Sequence, residues 1–468
     1  MAHEQTISVR QEQIQLGNAG RGLATAGLAL AVVGFAGACF VGLRNPEDAA
    51  RVTHFWHAYL MAFAFFLAIS LGALFFVMVH HLARAGWSVL IRRVAECLAS
   101  NVLLMGFLFL PIMYLGATGK LTILYHWADP ALVNPHSDAY DKLLAGKAGY
   151  LNVPFFMSRV FGFLIFWTIL AFFLRHTSVR QDTTGDVALS RRMEWVSAPG
   201  MMLFGITLTL GAFDLLMTLN PHWFSTMWGV YFFATCCLAF FSTIVLLLLT
   251  LQKLGVLGDL ITTEHFHDLG KWMFTFTFFW GYIAFSQYML IWYANIPEET
   301  QFYLPRQIGP WGAMALALIF VHLLIPFPGL LSRHVKRKMP VLAFWAIWSL
   351  GACLLDLFWI VMPNSFINKI PQQVDMPHAS LQEALPKLVE SGTGAMGPGI
   401  YGLNPVHSSF MNEITYAIYQ PQAWFVTLGL VVGMGGLYLA ATVYFLKSAA
   451  LVPLKDPRLP ESIAFENA

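Results

Sequence analysis

Twice in this chain a carboxylate stands seven positions ahead of a proline near the end of an apolar run. Asp214 follows Gly211–Ala212 and precedes Asn220–Pro221; Asp356 follows Gly351–Ala352 and precedes Pro363–Asn364. If these runs cross a bilayer, both acids lie inside it. A charge at the centre of a spanning helix costs about 2.5–3.5 kcal/mol and marks a functional site by default. Glu96, Arg159, Asp214 and Asp356 are the acidic and basic residues well inside such runs, joined by His57 and His322 and, at the edges, by His80, His81 and Lys271. The chemistry open to this set is proton uptake and release, with Tyr288 able to bridge stations.

Their depths suggest pairings. Arg159 lies early in the fourth apolar run and Asp214 late in the fifth. At 1.5 Å per residue both sit roughly 9–10 Å below one surface, on consecutive antiparallel helices. An ion pair is expected, serving either bundle register or proton handling. Asp356 sits at the matching depth, but the position matching Arg159 is near Ala317, so no arginine reaches it by this route. A buried carboxylate without a cation has its charged form disfavoured and can exchange a proton. His322, deeper on the preceding run, fits either a relay to Asp356 or a hydrogen-bonded packing role. Glu96 lies two turns from the other surface and can pair with Arg92 four residues earlier; Lys271 is its counterpart in the other half.

Composition sets the medium. The chain is 57% hydrophobic and only 11% charged, with a mean hydropathy of +0.63, which places it in a membrane. The basic residues fall in short loops and form no stripe, which argues against nucleic acid. Cys39, Cys97, Cys236, Cys237 and Cys353 lie in apolar runs without a CxxC or CxxCH spacing, so no thiolate metal site or covalent haem is expected. A b-type haem needs two histidines facing each other at one depth, and His57, His80, His81 and His322 offer no such pair. No metal site is expected, and the polar N-terminus lacks a cleavable-signal pattern.

Apolar runs of spanning length occur near 22–42, 54–79, 89–115, 153–175, 196–219, 227–252, 269–293, 309–332, 340–361 and 422–446. The expected fold is therefore an all-α integral membrane protein with about ten transmembrane helices. Arg and Lys concentrate in the loops around Arg84–Arg93, Arg175–Arg192, Lys253–Lys271 and Arg333–Lys338 and in the termini, which predicts cytoplasmic termini. The opposite side holds the two longest connections, 116–152 and 362–421, the second with a short helix expected at Leu381–Val389. Connections of this length are functional, lie under a partner, or move as flaps.

A weak repeat is visible: Trp56–His57–Ala58–Tyr59 resembles Trp228–Gly229–Val230–Tyr231, Tyr150–Leu151–Asn152–Val153–Pro154 resembles Tyr303–Leu304–Pro305, and Arg175–His176 recurs as Arg333–His334. It maps spans two to five onto spans six to nine as two pseudo-repeated four-helix bundles plus flanking helices. The expected divisions are a cytoplasmic segment 1–21, a first span and outer loop 22–53, bundles at 54–219 and 220–361, an outer loop 362–421, and a last span and cytoplasmic tail 422–468.

Four stretches are distinctive: Asn220–Pro221–His222–Trp223–Phe224–Ser225–Thr226, His265–Phe266–His267–Asp268–Leu269–Gly270–Lys271, Ala284–Phe285–Ser286–Gln287–Tyr288 and Ile291–Trp292–Tyr293–Ala294–Asn295–Ile296–Pro297–Glu298–Glu299–Thr300. With them most of the chain resembles the F subunit of bacterial alternative complex III, within the NrfD-like (polysulfide-reductase membrane subunit) family. The resemblance implies ten helices in two four-helix bundles, in the bacterial inner membrane. It also implies a quinol-oxidising respiratory assembly that delivers electrons to cytochrome c or to a terminal oxidase. Haem c and iron–sulfur clusters would belong to partner subunits, and the main quinol site to a sister NrfD-like subunit. This chain would bind no cofactor of its own and would contribute a proton path, with Glu96, Arg159, Asp214, Lys271, Tyr288, His322 and Asp356 as candidates. Two alternatives stand beside it. One is a working quinol site at Trp56, His57 and Tyr59, where a histidine would take the proton and an apolar slot the ring. The other is a structural scaffold whose buried charges fix packing. A stand-alone secondary transporter lacks the expected pair of broken helices.

Overall fold

Long apolar runs leave the backbone no water to bond, so the chain closes its hydrogen bonds within helices. The computed structural model describes residues 14–307, 309–367 and 416–466, and no strand occurs among them. Nine helices among the described residues are long and apolar enough to cross a membrane, which makes this an all-α, multi-pass membrane protein.

In chain order these are α1 (Ala19–Leu43), α2 (Ala49–Leu82), α3 (Val89–Ser100) with α4 (Val102–Ala117), α6 (Val153–Thr184), α7 (Ala188–Leu215) and α8 (Trp228–Lys253). A short α5 (Lys142–Lys147) lies between α4 and α6. Next comes α9 (Thr263–Ala294), then α10 (Pro297–Thr300), then α11 (Gly309–Leu318), which passes through a π-helical turn (Ile319–Leu324) into α12 (Pro326–Leu331). The chain continues through α13 (Arg333–Arg337), α14 (Met339–Val361), α15 (Asn364–Ile367), α16 (Pro421–Lys447) and α17 (Leu459–Ile463). The expected span at 269–293 is α9. At 32 residues it is long enough to cross, yet it is not among the nine, because Thr275, Thr277, Ser286, Gln287 and several Trp and Tyr residues dilute its apolarity.

Local signals fix the starts. The Asp48 side chain accepts from the Arg51 amide at the head of α2, and Asn152 accepts from Phe155 at the head of α6. Prolines occupy the first turns of α6, α12, α14 and α16, where a missing N–H costs nothing. Asn101 breaks the third span into α3 and α4, and its amide donates to Thr442 Oγ1 of α16 at 2.6 Å.

The helices pack as two groups: α2, α3–α4, α6 and α7, then α8, α9, α11–α12 and α14. These are the spans expected as two four-helix bundles. They meet where α2 lies against α8, the two most buried spans. Gly72 permits the close approach, since a Cβ there would stand 2.2 Å from the Cys236 carbonyl oxygen.

The first and last spans, α1 and α16, pair with each other at the edge of α2. A Cβ on Gly34 would lie 2.4 Å from the Gly433 nitrogen and 2.6 Å from the Gly429 oxygen, so small residues let these backbones touch. Gly34→Leu should therefore lift α1 off the bundle, at a cost of about 1–3 kcal/mol, and leave the rest folded. Faster tryptic cleavage at Arg44 with unchanged helix content is the expected readout; unchanged cleavage would refute it.

The first described residues meet the segment after α16, where the Leu451 amide donates to the Ile14 carbonyl at 2.9 Å. The connection 116–152 is folded: Leu121, Tyr125, Trp127, Leu132 and Leu144 are buried in it. The short helix expected at Leu381–Val389, with most of the connection 362–421, lies outside the described residues.

Candidate functional site

The two acids sit where the repeat places them and hold unlike company. In the first bundle Arg159 grips Asp214 with two parallel bonds, Nε to Oδ2 and Nη2 to Oδ1, each 2.9 Å. The third guanidinium nitrogen donates to the Tyr150 carbonyl at 2.9 Å, and the group stacks 3.7 Å above the Tyr150 ring. Asp214 is fully buried and Arg159 is 8% exposed. The expected ion pair is formed, in the fork geometry that binds a carboxylate most strongly.

In the second bundle every donor to Asp356 is neutral. Tyr231 Oη donates to Oδ1; Trp280 Nε1 and Thr235 Oγ1 donate to Oδ2 at 3.2 and 3.4 Å. Tyr231 and Thr235 lie one turn apart on α8, and Trp280 comes from α9. Among the described residues no cation stands in ion-pair contact with Asp356, which is fully buried. His322 stacks on the face of the Trp280 ring, centroids 3.6 Å apart, and is itself fully buried with no partner for either ring nitrogen among the described residues. It lies in the π-helical turn. Pro326, which has no N–H, follows that turn, and Trp348 of α14 donates instead to the Val321 carbonyl at 2.7 Å. A π turn inside a helix is a frequent mark of a functional position.

Arg306, directly after Pro305 in the connection between α9 and α11, is fully buried. It donates to the carbonyls of Phe302, Ile360 and Trp359 at 2.7, 2.8 and 3.3 Å. The cation thus closes the C-terminal end of α14, where carbonyls lack helical partners and the helix dipole is negative. The second bundle therefore has its arginine, but the arginine serves a helix end and not the acid. The signal was its position directly after Tyr303–Leu304–Pro305, the segment that echoes the approach to Arg159.

The other candidates are dispersed. Glu96 lies at the end that holds the termini, 3.1 Å from Arg93 Nε and 3.9 Å from Arg92 Nε, so its nearer partner is Arg93 and not the expected Arg92. Arg92 turns to Asp456 of the C-terminal tail, and Arg93 also reaches Asp182, Ser178 and the Ala450 carbonyl. Lys271 pairs with Asp268 one turn away and is 48% exposed, so it is not a buried charge opposite Glu96. Tyr288 takes a bond from Gln307 at 3.2 Å and meets Tyr303 edge-on; Trp280, not Tyr288, lies between His322 and Asp356.

At the alternative quinol site, His57 is fully buried, with Nδ1 on the Thr53 carbonyl at 2.8 Å and Nε2 without a partner. Tyr59 donates to the Leu108 carbonyl at 2.6 Å, beside the gap that Pro111 leaves in α4, so its hydroxyl is already taken. Trp56 is half-buried and meets the Tyr59 ring edge-on.

The turn after Asp214 is tied down from outside the spans. His222 bonds Asp141 at 2.6 Å, and Lys147 donates to the Pro221 carbonyl at 2.7 Å. Burial would raise the Asp141 carboxyl, but the bonds from His222 and from the Leu144 and Leu143 amides outweigh it and hold the group below its ordinary value. Among the described residues no three His, Cys, Asp or Glu side chains gather in a way that could hold a metal ion. In comparisons with known proteins, no family model and no curated protein matches the chain.

Proposed function

We propose that this chain is a non-haem membrane subunit of a quinol:electron-acceptor oxidoreductase of the alternative complex III type, and that its second bundle provides a proton path. The observation that carries the reading is Asp356: a fully buried carboxylate held by neutral donors only, with the unpartnered imidazole of His322 one aromatic ring away. A buried acid without a cation exchanges protons more readily than one locked to arginine. Asp214, gripped by Arg159, is the contrasting case.

In this reading Tyr231, Trp280 and Thr235 stabilise the carboxylate while it is charged. His322 does not touch Asp356, so a proton moves between them around the Trp280 ring, by way of water. Glu96, among Arg92 and Arg93, belongs to a separate approach from the end that holds the termini. Haem c and iron–sulfur clusters sit in partner subunits, and a sister NrfD-like subunit oxidises the quinol. The chain lies in the bacterial inner membrane with its termini in the cytoplasm, an orientation supported by the Arg and Lys bias of its loops.

Asp356→Asn keeps size and hydrogen bonding but removes the titratable group. In the whole complex reconstituted into vesicles it should lower the protons moved per electron while assembly and quinol oxidation persist. A normal ratio in both Asp356→Asn and His322→Gln would reduce these residues to packing features. A second reading, a working quinol site in this chain, is favoured by the free Nε2 of buried His57 beside half-buried Trp56. Labelling of Trp56 by a photoreactive quinone in the intact complex would select it.

A further inference from the structure

At the end of the bundle where Ile14 meets Leu451, five of the described cations stand against a carboxylate. Arg84 is paired with Glu194, Arg92 with Asp456, Arg93 with Glu96 and Asp182, Arg337 with Glu264, and Lys271 with Asp268. The hairpin of α6 and α7 differs. Arg180, Arg191 and Arg192 are exposed, and among the described residues no carboxylate stands within ion-pair distance of them. The acids closest in sequence are engaged elsewhere: Asp182 holds Arg93, Glu194 holds Arg84, and Asp186 accepts from the Ala188 amide.

These arginines stand at one level of the hairpin. Gln181 bonds Ser190 at 2.7 Å and Trp167 bonds Thr207 at 2.9 Å, a register that sets Arg180 level with Arg191 and Arg192. Phe173, His176 and Arg180 follow one another along one stripe of α6 at helical spacing. The Arg192 guanidinium lies 5.4 Å from the centre of the Phe173 ring, which brings α7's cation onto that stripe. Trp195, one turn inward, is 79% exposed, as suits an aromatic at the level of lipid headgroups. Further along, Ile165 and Ile169 of α6 and Met202 and Ile206 of α7 continue both stripes as exposed apolar surface.

We propose that the α6–α7 hairpin is a binding site for a phospholipid carrying two phosphates, with the headgroup held by Arg180, Arg191 and Arg192 and the acyl chains along the apolar stripes. Guanidinium forks match phosphate oxygens in pairs, and three of them suit a dianionic headgroup better than a single phosphate. Basic clusters between transmembrane helices are established traps for such headgroups. The site is exposed where the acids are buried, and it does not depend on the proposed proton path.

The test uses the full chain in detergent, titrated with tetraoleoyl cardiolipin and followed by native mass spectrometry. Wild type should retain one lipid and prefer it to dioleoyl phosphatidylglycerol. Arg180→Gln/Arg192→Gln should weaken binding at least about tenfold, and Arg191→Gln/Arg192→Gln should act in the same direction. The substituted side chains are exposed, so helix content and melting temperature should not move. Arg333→Gln/Lys338→Gln, at the same end but off the hairpin, is the control and should leave binding unchanged. An equal loss in the control, no preference over phosphatidylglycerol, or displacement of the lipid by millimolar inorganic phosphate would overturn the proposal.

Discussion

Arg159→Ala leaves Asp214 fully buried without its cation, and the expected result is a loss of about 3–5 kcal/mol in stability. The substitution removes both bonds to the carboxylate, the bond to the Tyr150 carbonyl and the stack on the Tyr150 ring. Most of the loss reflects the stranded acid and not the net worth of the pair, because two desolvated charges repay only part of their own cost. Arg159→Ala combined with Asp214→Ala should therefore be more stable than Arg159→Ala alone. Thermal unfolding of the detergent-solubilised chain would show this as a partial recovery of melting temperature. Equal melting for the single and double variants would mean that Asp214 is not stranded.

The second large effect is expected at the other end. Arg93 is fully buried and ties three segments: Glu96 on its own helix, Asp182 and Ser178 on α6, and the Ala450 carbonyl at the start of the C-terminal tail. Arg93→Met keeps much of the volume but leaves Glu96 and Asp182 with less positive charge. A loss of about 3–5 kcal/mol is expected, as for removal of one partner of a buried pair. The tail should loosen first, since Arg93 and Asp182 both hold its beginning, the latter through the Leu454 amide at 2.9 Å. Tryptic cleavage at Lys455 and Arg458 should accelerate before the helices melt. Unchanged cleavage with lowered melting temperature would show that the tail is held by Ser462 and Asp456 alone.

What could be read from the sequence depended on whether partners were neighbours along the chain. The Arg159–Asp214 pair joins consecutive antiparallel helices, so counting residues from the shared turn fixed both depths. Asp356 was legible as an acid lacking an arginine, but its actual donors were not. Tyr231, Thr235 and Trp280 come from two other helices and carry no charge to flag them. Tyr231 had left a trace, the Trp228–Tyr231 echo of Trp56–Tyr59, without a reason to point it at Asp356. The role of Arg306 was not legible, because a cation after a proline reads as loop and its bonds to the α14 carbonyls depend on how that loop folds back. Lys271 was matched to Glu96 by repeat offset, yet Asp268 one turn before it supplies a local partner. Of the polar groups that lower the apolarity of α9, Trp280 bonds Asp356 across the bundle, while Thr275, Thr277 and Ser286 bond carbonyls of their own helix.

The clasp between α1 and α16 also bears on how the molecule is made. A chain emerges from the ribosome N-terminal end first. The helix against which α1 packs most extensively, α16, is the last in chain order of the nine spanning helices among the described residues. Until then α1 must reside in lipid with only α2 beside it, and its composition suits the wait: its apolar window is 28% buried in the finished fold, and it carries a single charge, Arg21, near its start. Closure of the glycine-lined seam therefore waits until α16 has been made. A product lacking α16 would leave Gly27 and Gly34 without the backbone of Gly429, Gly433 and Gly436 that they face in the finished fold.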